Sequence, residues 1–233
     1  VIWKLFSRYI HKVTAPTQKT LIMLKRSKIF DQNKIILLRD PAIDKKEISK
    51  NKLSKLPHKF KHKTFTLSIG RLTNQKNFEF LIKMFAKYQK IIKTDYLLII
   101  GDGEEKIKLQ KIINHLNCEN SIILLGFREN VYNYINRCQM LVSVAEYEDP
   151  GFSLLEAAYL KKKIITSLVD NGPKDMKKNG DLCYFFNFND EKSFLKAVKD
   201  SKNKNLKKIK DAKKYADKFS ILSHATNLQK ILI

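Results

Sequence analysis

Two charged side chains after an apolar run suit the binding of an anionic group. Arg71 and Lys76 are separated by four residues, in a loop that leads into a helical pattern. Arg offers a planar fork to phosphate oxygens and Lys a point charge, so both could face one phosphate. Because Lys is abundant along the whole chain, solvation of a surface loop is the simpler explanation of this pair taken alone.

Two carboxylates further along bracket a turn that contains glycine. Glu148 falls in a loop, and Glu156 falls in the first turn of a helix opened by Gly151, Phe152 and Ser153. Backbone N–H groups at a helix start can hold phosphate oxygens, and carboxylates accept hydrogen bonds from sugar and ribose hydroxyls. The layout suits a sugar diphosphate. The spacing Ser153-x-x-Glu156 equally fits a capping box that serves only the helix.

A third turn, Gly101-Asp102-Gly103, leads from an apolar run towards a helix. Its glycines would let the backbone approach a ligand closely. The dinucleotide fingerprint of three spaced glycines is absent from the sequence, however. Asp102 followed by Glu105 suits a helix cap, and we favour that structural interpretation.

These residues are positioned by short apolar runs that alternate with helical patterns at 78–92, 104–116 and 153–160. The alternation predicts βαβ units, hence an α/β fold with a doubly wound parallel sheet, followed by C-terminal helices. Six of the seven glycines lie at or just beyond the ends of predicted strands, where open α/β sheets bind ligands. The predicted strands are Phe65–Ile69, Tyr96–Ile100, Ile122–Leu125, Met140–Val144, Ile164–Ser167 and Tyr184–Phe186.

The first part of the chain gives a weaker pattern. Residues 2–12 resemble the end of an amphipathic helix, and short apolar runs at 13–17 and 35–38 flank a helix predicted from about Thr17. From Pro41 to about Lys63 the chain is rich in Lys and contains Pro57, which indicates a linker with a short helix at most. Because the sequence opens in a helical pattern without Met, we interpret it as a truncated chain or a gene fragment.

Composition restricts the partners. The formal net charge is +23, with 46 Lys and Arg against 23 Asp and Glu. An anionic membrane surface, a nucleic acid and mere solvation of Lys-rich faces are the three explanations. The basic stretches are not interleaved with aromatic residues in the way of a nucleic-acid-binding strand, so no nucleic acid is expected.

Cysteine and histidine usage points away from a metal site. The three cysteines, at 118, 138 and 183, form no Cys-x-x-Cys pair, and the five His have no ligand spacing. Reduced thiols in a cytoplasmic protein without zinc are the simple interpretation. The sequence also has neither a signal peptide nor an apolar run of the roughly 20 residues that a membrane span needs.

Taken in order, five segments resemble the family 4 glycosyltransferases, which are retaining enzymes of the GT-B fold. The resemblance is strong over about residues 64–200 and faint over 1–42, and the spacing Glu-x₇-Glu is its most specific element. The matching segments are Gly70-Arg71-Leu72 with Lys76-Asn77-Phe78, Gly101-Asp102-Gly103, Leu125-Gly126-Phe127, Glu148 with Glu156-Ala157, and Asn171-Gly172-Pro173-Lys174-Asp175.

The resemblance implies a role for each residue. Arg71 and Lys76 would hold the donor diphosphate as its glycosidic bond breaks, and Glu148 would bind the hydroxyls of the transferred sugar; these three are the expected catalytic residues. No side chain is expected to act as a nucleophile, and neither a metal nor another cofactor is expected. Gly70, Gly101 and Gly103 would also bind the donor, and Phe127 and Arg128 would frame its base. Gly151, Phe152 and Ser153 would bind it at the helix start, and Glu156 at the ribose.

The same resemblance implies a domain organisation and a function. Residues 1–42 would be a remnant of the N-terminal GT-B domain, 43–63 a linker, 64–200 the Rossmann-like nucleotide-sugar domain and 201–233 C-terminal helices. The expected function is transfer of a sugar from a nucleotide sugar to a glycan or lipid-linked acceptor in cell-surface polysaccharide or lipopolysaccharide biosynthesis. It is expected in the cytoplasm, at the inner face of the membrane.

Departures from the family leave alternatives open. Asp149-Pro150-Gly151-Phe152 replaces the usual Gly-Phe-Gly after the first Glu, and Asp175 stands where Glu is common. The acceptor-binding domain, about 150 residues by ordinary domain sizes, is missing. A donor-binding module without catalysis of its own, and a nucleic-acid-binding protein driven by charge, are therefore the competing hypotheses.

Overall fold

A computed structural model describes residues 2–203 and 205–232 of the chain. Its strands form a two-stranded and a six-stranded parallel sheet. The first contains β1 (Val13–Ala15) and β2 (Ile35–Leu37). The second contains β3 (Phe65–Ile69), β4 (Tyr96–Ile100), β5 (Ile122–Gly126), β6 (Met140–Ser143), β7 (Lys163–Ser167) and β8 (Tyr184–Phe186).

Helices connect the strands and cover both faces of the larger sheet. The helices are α1 (Ile2–Phe6), α2 (Gln18–Ser27), α3 (Lys45–Asn51), α4 (Phe78–Ile92), α5 (Lys106–His115), α6 (Tyr132–Arg137), α7 (Phe152–Tyr159), α8 (Gly172–Lys178), α9 (Glu191–Asp200), α10 (Leu206–Asp217) and α11 (Ile221–Leu232). None of those in the described part of the chain combines the length and the apolar character that crossing a membrane requires.

The core forms two layers because alternate strand residues point to opposite faces. On β4, Leu98 packs in a cluster with residues of α6, α7 and α10, whereas Leu97 and Ile99 pack with residues of α4, α5 and α9. Both faces of the strand are therefore apolar, which explains why β4 reads as a continuous apolar run. The predicted α/β fold with a doubly wound parallel sheet and C-terminal helices is confirmed.

The N-terminal part differs from its prediction. The helix expected over residues 2–12 ends at Phe6 and is followed by one 3₁₀ turn, and its apolar side chains, such as Trp3, are largely exposed. Helix α2 begins where predicted, with Thr17 as its N-cap. Between residues 43 and 63, Ile48 of α3 and Phe60 are buried in the core. The division of the chain into domains stays a prediction.

Candidate functional site

The candidate site lies where the strand order of the large sheet reverses. The order is β5-β4-β3-β6-β7-β8, so β3 and β6 are neighbours whose connections leave in opposite directions. Such a switch point opens a crevice beyond the carboxyl ends of the strands. A cavity of about 550 Å³ lies there, lined by Ile69, Gly70, Arg71, Gln75, Lys76, Tyr147, Glu148, Asp149, Phe152, Ser153 and Glu156.

Two hydrogen bonds, one between backbone groups and one from a side chain, join the loop after β3 to the loop after β6. The backbone N–H of Glu146 donates to the carbonyl of Gln75 at 2.9 Å, and the amide Nε2 of Gln75 donates to the carbonyl of Tyr147 at 3.2 Å. Because these bonds hold the two loops together, Lys76 lies next to Glu148. The structure thus brings together side chains that are 72 positions apart in sequence, as the strand-end argument predicted.

Glu148 is the most constrained residue of the site. Its side chain is only 6% exposed, and its Oε2 atom lies 3.0 Å from the ammonium nitrogen of Lys76. The hydroxyl of Ser143 donates to the other oxygen, Oε1, at 3.0 Å. The backbone carbonyl of Glu148 accepts from the N–H of Gly172 at 3.1 Å. A buried carboxylate requires such partners, because its desolvation is otherwise strongly unfavourable.

The start of α7 overturns the capping-box interpretation. The N-cap is Gly151, with φ 88°, which has no side chain that could cap the helix. Ser153 is the second residue of α7 and therefore cannot be the N-cap. Phe152 and Ser153 instead line the cavity, so the first turn of α7, whose leading N–H groups lack intrahelical partners, borders it. This arrangement suits an anionic ligand.

Glu156 lies in the same helix and is largely buried. Burial raises the pKa of its carboxyl group from 4.5 to about 7; a hydrogen bond with Tyr132 lowers the pKa in part, and the charge of Glu47 raises it. Near neutral pH the protonated and ionised forms of this group are therefore both populated. A ligand hydroxyl that donated to Glu156 would favour the ionised form and so would lower this pKa.

We expect Glu156→Gln to stabilise the protein above pH 7. The folded state holds the proton of Glu156 up to about pH 7, whereas the unfolded chain releases it near pH 4.5, so stability falls between these values as pH rises. The variant should gain about 3 kcal/mol at pH 8 and nearly nothing at pH 4. Urea unfolding at both pH values measures this, with the exposed Glu104→Gln as control. A gain that does not change with pH would contradict the assignment.

Close packing of the backbone is enough to require glycine at positions 101 and 103. A Cβ at Gly101 would stand 1.9 Å from the carbonyl oxygen of Gly70, and one at Gly103 would stand 2.6 Å from that of Leu72. Both glycines therefore let the loop after β4 pack closely against the backbone on either side of Arg71. The predicted cap is wrong in its residues: α5 begins at Lys106 with Glu105 as N-cap, and Asp102 accepts from the adjacent N–H of Gly103 at 2.9 Å.

Phe127 and Arg128 follow β5 and lie outside the cavity. Phe127 is 70% exposed, and the guanidinium of Arg128 donates to the carbonyl of Phe127 at 3.1 Å. Gly101 and Gly103 also lie outside it. For these four residues, a direct contact with a donor stays a prediction.

Helix α2 reaches the loops of the site from the N-terminal part. The hydroxyl of Thr20 donates to Asp149 Oδ2 at 3.2 Å, and Lys19 forms an ion pair with Asp170. Tyr147 donates to the same Asp149 oxygen at 3.1 Å. Asp149 thus links the loop of Glu148 to α2, a contact that the spacing of residues in the sequence could not predict.

A larger cavity, of about 950 Å³, lies between α4 and α5, away from these motifs. It is lined by residues such as Lys83, Ile107 and Lys111, with ion pairs along its rim. The site at the switch point has the more specific chemistry, since it combines a buried carboxylate, two cations and a helix start. In the part of the chain that the structure describes, no three His, Cys, Asp or Glu side chains are grouped to hold a metal. The prediction that no metal takes part stays a prediction.

Known proteins resemble the chain in both sequence and fold. Residues 49–219 match the family model described as glycosyl transferases group 1. An uncharacterised glycosyltransferase of Methanocaldococcus jannaschii is 30% identical over 192 residues, which are 81% of this chain and 46% of the relative.

A second relative is named for its reaction. It is the N-acetylgalactosamine-N,N'-diacetylbacillosaminyl-diphospho-undecaprenol 4-alpha-N-acetylgalactosaminyltransferase of Campylobacter jejuni. The two proteins are 30% identical over 161 residues, 68% of this chain and 42% of the relative. Our chain thus spans about half the length of these relatives.

Among solved structures, Anabaena HepE in complex with UDP-glucose superposes with a TM-score of 0.77 at 16% identity. The match covers 98% of this chain and 65% of HepE. At this identity the likeness concerns the fold.

Proposed function

Because this chain belongs to the glycosyl transferases group 1, we propose that it is the donor-binding half of a glycosyltransferase. It would move a sugar from a nucleotide-diphosphate sugar to a glycan or lipid-linked acceptor. The observation that carries the proposal is the cavity at the switch point, where Arg71, Lys76, Glu148, Glu156 and the start of α7 meet. The finer assignment to family 4, with retention of the sugar's configuration, is part of the proposal.

The roles follow from chemistry. Lys76, Arg71 and the first turn of α7 would hold the diphosphate, and their positive charge would stabilise the charge that develops as the glycosidic bond breaks. Glu148 would accept hydrogen bonds from the sugar, and Glu156 from the ribose. These cations would do the work that a metal performs elsewhere, so we propose catalysis without a metal or another cofactor. Phe127 and Arg128 would frame the base.

We propose further that no side chain acts as a nucleophile. Glu148 is the carboxylate placed to approach the sugar, and both of its oxygens are engaged, by Ser143 and by Lys76. This supports a hydrogen-bonding role. In a retaining reaction without a nucleophile, the leaving diphosphate would assist the acceptor hydroxyl on the same face of the sugar.

The remainder of the enzyme would bind the acceptor. An N-terminal GT-B domain would do so, and residues 1–42 would belong to it. Residues 43–63 would form the linker, 64–200 would bind the donor, and 201–233 would form the C-terminal helices. The separate parallel pair of β1 and β2 supports this division. A donor-binding module without catalysis of its own is the second candidate, favoured by the chain's coverage of only about half of its relatives.

We also propose a place of action and a biosynthetic role. The Campylobacter relative is named for an undecaprenol-linked substrate, which supports cell-surface polysaccharide or lipopolysaccharide biosynthesis. A net charge of +23 would attract the chain to an anionic membrane surface. We therefore place the protein in the cytoplasm, on the inner face of the membrane, and expect no nucleic-acid partner.

A panel of nucleotide sugars tests this function. A ligand that binds only the folded state raises the melting temperature, because it adds about 2.7 kcal/mol to the free energy of unfolding at a concentration of 100 times Kd. We expect donors of one base to raise Tm, and inorganic phosphate at equal concentration to leave it nearly unchanged. No shift with any nucleotide sugar at millimolar concentration would overturn the proposal. A shift without sugar transfer, when the chain is assayed together with an N-terminal GT-B domain and an acceptor, would favour the module without catalysis.

A further inference from the structure

We propose that Ser143 is a positioning residue that decides which oxygen of Glu148 faces the donor sugar. The inference rests on the proposed function and extends it to a residue outside the motifs that the sequence identified. Ser143 ends β6, five residues before Glu148, and is 7% exposed. Its hydroxyl reaches Glu148 Oε1 at 3.0 Å.

The two partners of the carboxylate differ in their freedom to move. Lys76 reaches Oε2 through a flexible four-carbon stem, and its side chain is 21% exposed, against 6% for Glu148. Ser143 has a single side-chain torsion and sits on a paired strand, in register with Thr166 of β7. A ligand can therefore draw Lys76 away, whereas Ser143 stays in place.

A diphosphate in the cavity would take Lys76 as its own counter-ion. Glu148 Oε2 would then be released towards the cavity, while Oε1 would remain fixed by Ser143. The backbone on the other side is fixed as well, because the Glu148 carbonyl accepts from Gly172 and the residue pairs with Asn171 in a parallel bridge. Before the donor binds, Lys76 thus contacts the Glu148 oxygen that the sugar hydroxyls would contact. Ser143 orients the carboxylate that accepts hydrogen bonds from those hydroxyls.

Other buried serines of the sheet show what a purely structural hydroxyl does here. Ser68 on β3, 2% exposed, donates to the backbone carbonyl of Val142 at 2.6 Å. Ser167 on β7 donates to the carbonyl of Ala145. Both hydroxyls join neighbouring strand segments, whereas that of Ser143 is directed at a carboxylate of the site. Ser68→Ala is therefore a matched control for Ser143→Ala, since each removes one hydroxyl from a buried strand.

The test compares two ligands by calorimetry. One is the nucleotide sugar that raises Tm most, and the other is the nucleoside diphosphate with the same base, which lacks the sugar. Ser143→Ala should weaken binding of the nucleotide sugar about tenfold more than binding of the nucleoside diphosphate, because only the sugar would contact the carboxylate that Ser143 orients. Ser143→Thr, which keeps the hydroxyl, should bind the nucleotide sugar with the affinity of the unaltered chain. Ser68→Ala should leave the affinities for both ligands unchanged.

Several outcomes would overturn the inference. These are an equal loss for both ligands, no loss for either, or a tenfold loss from Ser143→Ala that persists in a Glu148→Gln background, where the positioned carboxylate no longer exists. If Ser143→Ala does not fold, Ser143→Cys, of similar size with a weak donor, gives the same comparison. Failure of the proposed function is a separate result, because the unaltered chain would then bind neither ligand.

Discussion

Replacing Lys76 with Met is expected to reduce affinity for the nucleoside diphosphate by about 100-fold and the free energy of unfolding by about 2 kcal/mol. The affinity falls because the diphosphate loses a cation and meets the charge of Glu148 uncompensated. The stability falls because the 3.0 Å contact between Lys76 Nζ and Glu148 Oε2 is lost, leaving a carboxylate that is 6% exposed with a single hydroxyl partner. Calorimetry and urea unfolding measure the two effects.

The two effects can be separated. Adding Glu148→Gln to Lys76→Met removes the unpaired charge, so it should restore most of the stability while nucleotide affinity stays low. Arg71→Met should lower affinity with little change in stability, since Arg71 is exposed. Lys83→Met, which removes an exposed cation of α4, should do neither. If Lys76→Met binds nucleotide as the unaltered chain does, Lys76 does not hold the diphosphate.

Gly172→Ala is expected to lower the free energy of unfolding by at least about 3 kcal/mol and to abolish nucleotide binding. A Cβ at this position would stand 1.8 Å from the backbone carbonyl oxygen of Pro150. Relief requires the loops after β6 and β7 to separate, which breaks the 3.1 Å hydrogen bond from the Gly172 N–H to the Glu148 carbonyl. Urea unfolding and calorimetry again provide the measurements.

Gly126→Ala is the matched control. A Cβ there meets no atom of the described chain within 4 Å, its own neighbours aside, but the residue has φ 72°. That substitution should therefore cost only about 1 kcal/mol, from backbone strain alone. Equal losses from the two variants would show that the contact with Pro150 is unimportant.

Much of the fold could be predicted because the strands of the large sheet are buried on both faces. Tyr96–Ile100 is a continuous apolar run, and Phe65–Ile69 alternates apolar residues with Thr66 and Ser68; both segments precede a glycine, and both strands lie as predicted. Helix α6 was missed. It has only six residues, and Asn133, one of the three that it buries, is polar and gives no apolar period.

The site was harder to predict where a loop folds back to contact the strand that precedes it. Position at strand ends correctly brought Arg71 and Lys76 to the cavity of Glu148. Ser143 was overlooked, because a serine inside an apolar run gives no sign that its hydroxyl meets a residue of the following loop. The capping box failed because Gly151, with positive φ, is the N-cap, so that α7 begins at Phe152, one residue before Ser153.

The motif between Glu148 and Glu156 is therefore best understood as a cavity wall. Glu148 ends as a buried carboxylate with two partners, and Glu156 as a largely buried group with a pKa near 7. Neither feature follows from spacing. Glu148 obtains its two partners from β6 and from the loop after β3, and Glu156 is buried beside Tyr132 of α6.

A crystal structure of the chain with the nucleotide sugar that raises Tm most tests the central claim directly. We predict that the diphosphate lies in the cavity at the start of α7, within hydrogen-bond distance of Lys76 and Arg71. Lys76 Nζ should have left Glu148 Oε2, and the sugar should contact that oxygen. A nucleotide bound elsewhere on the chain, or an intact Lys76–Glu148 pair beneath a bound nucleotide, would contradict the account.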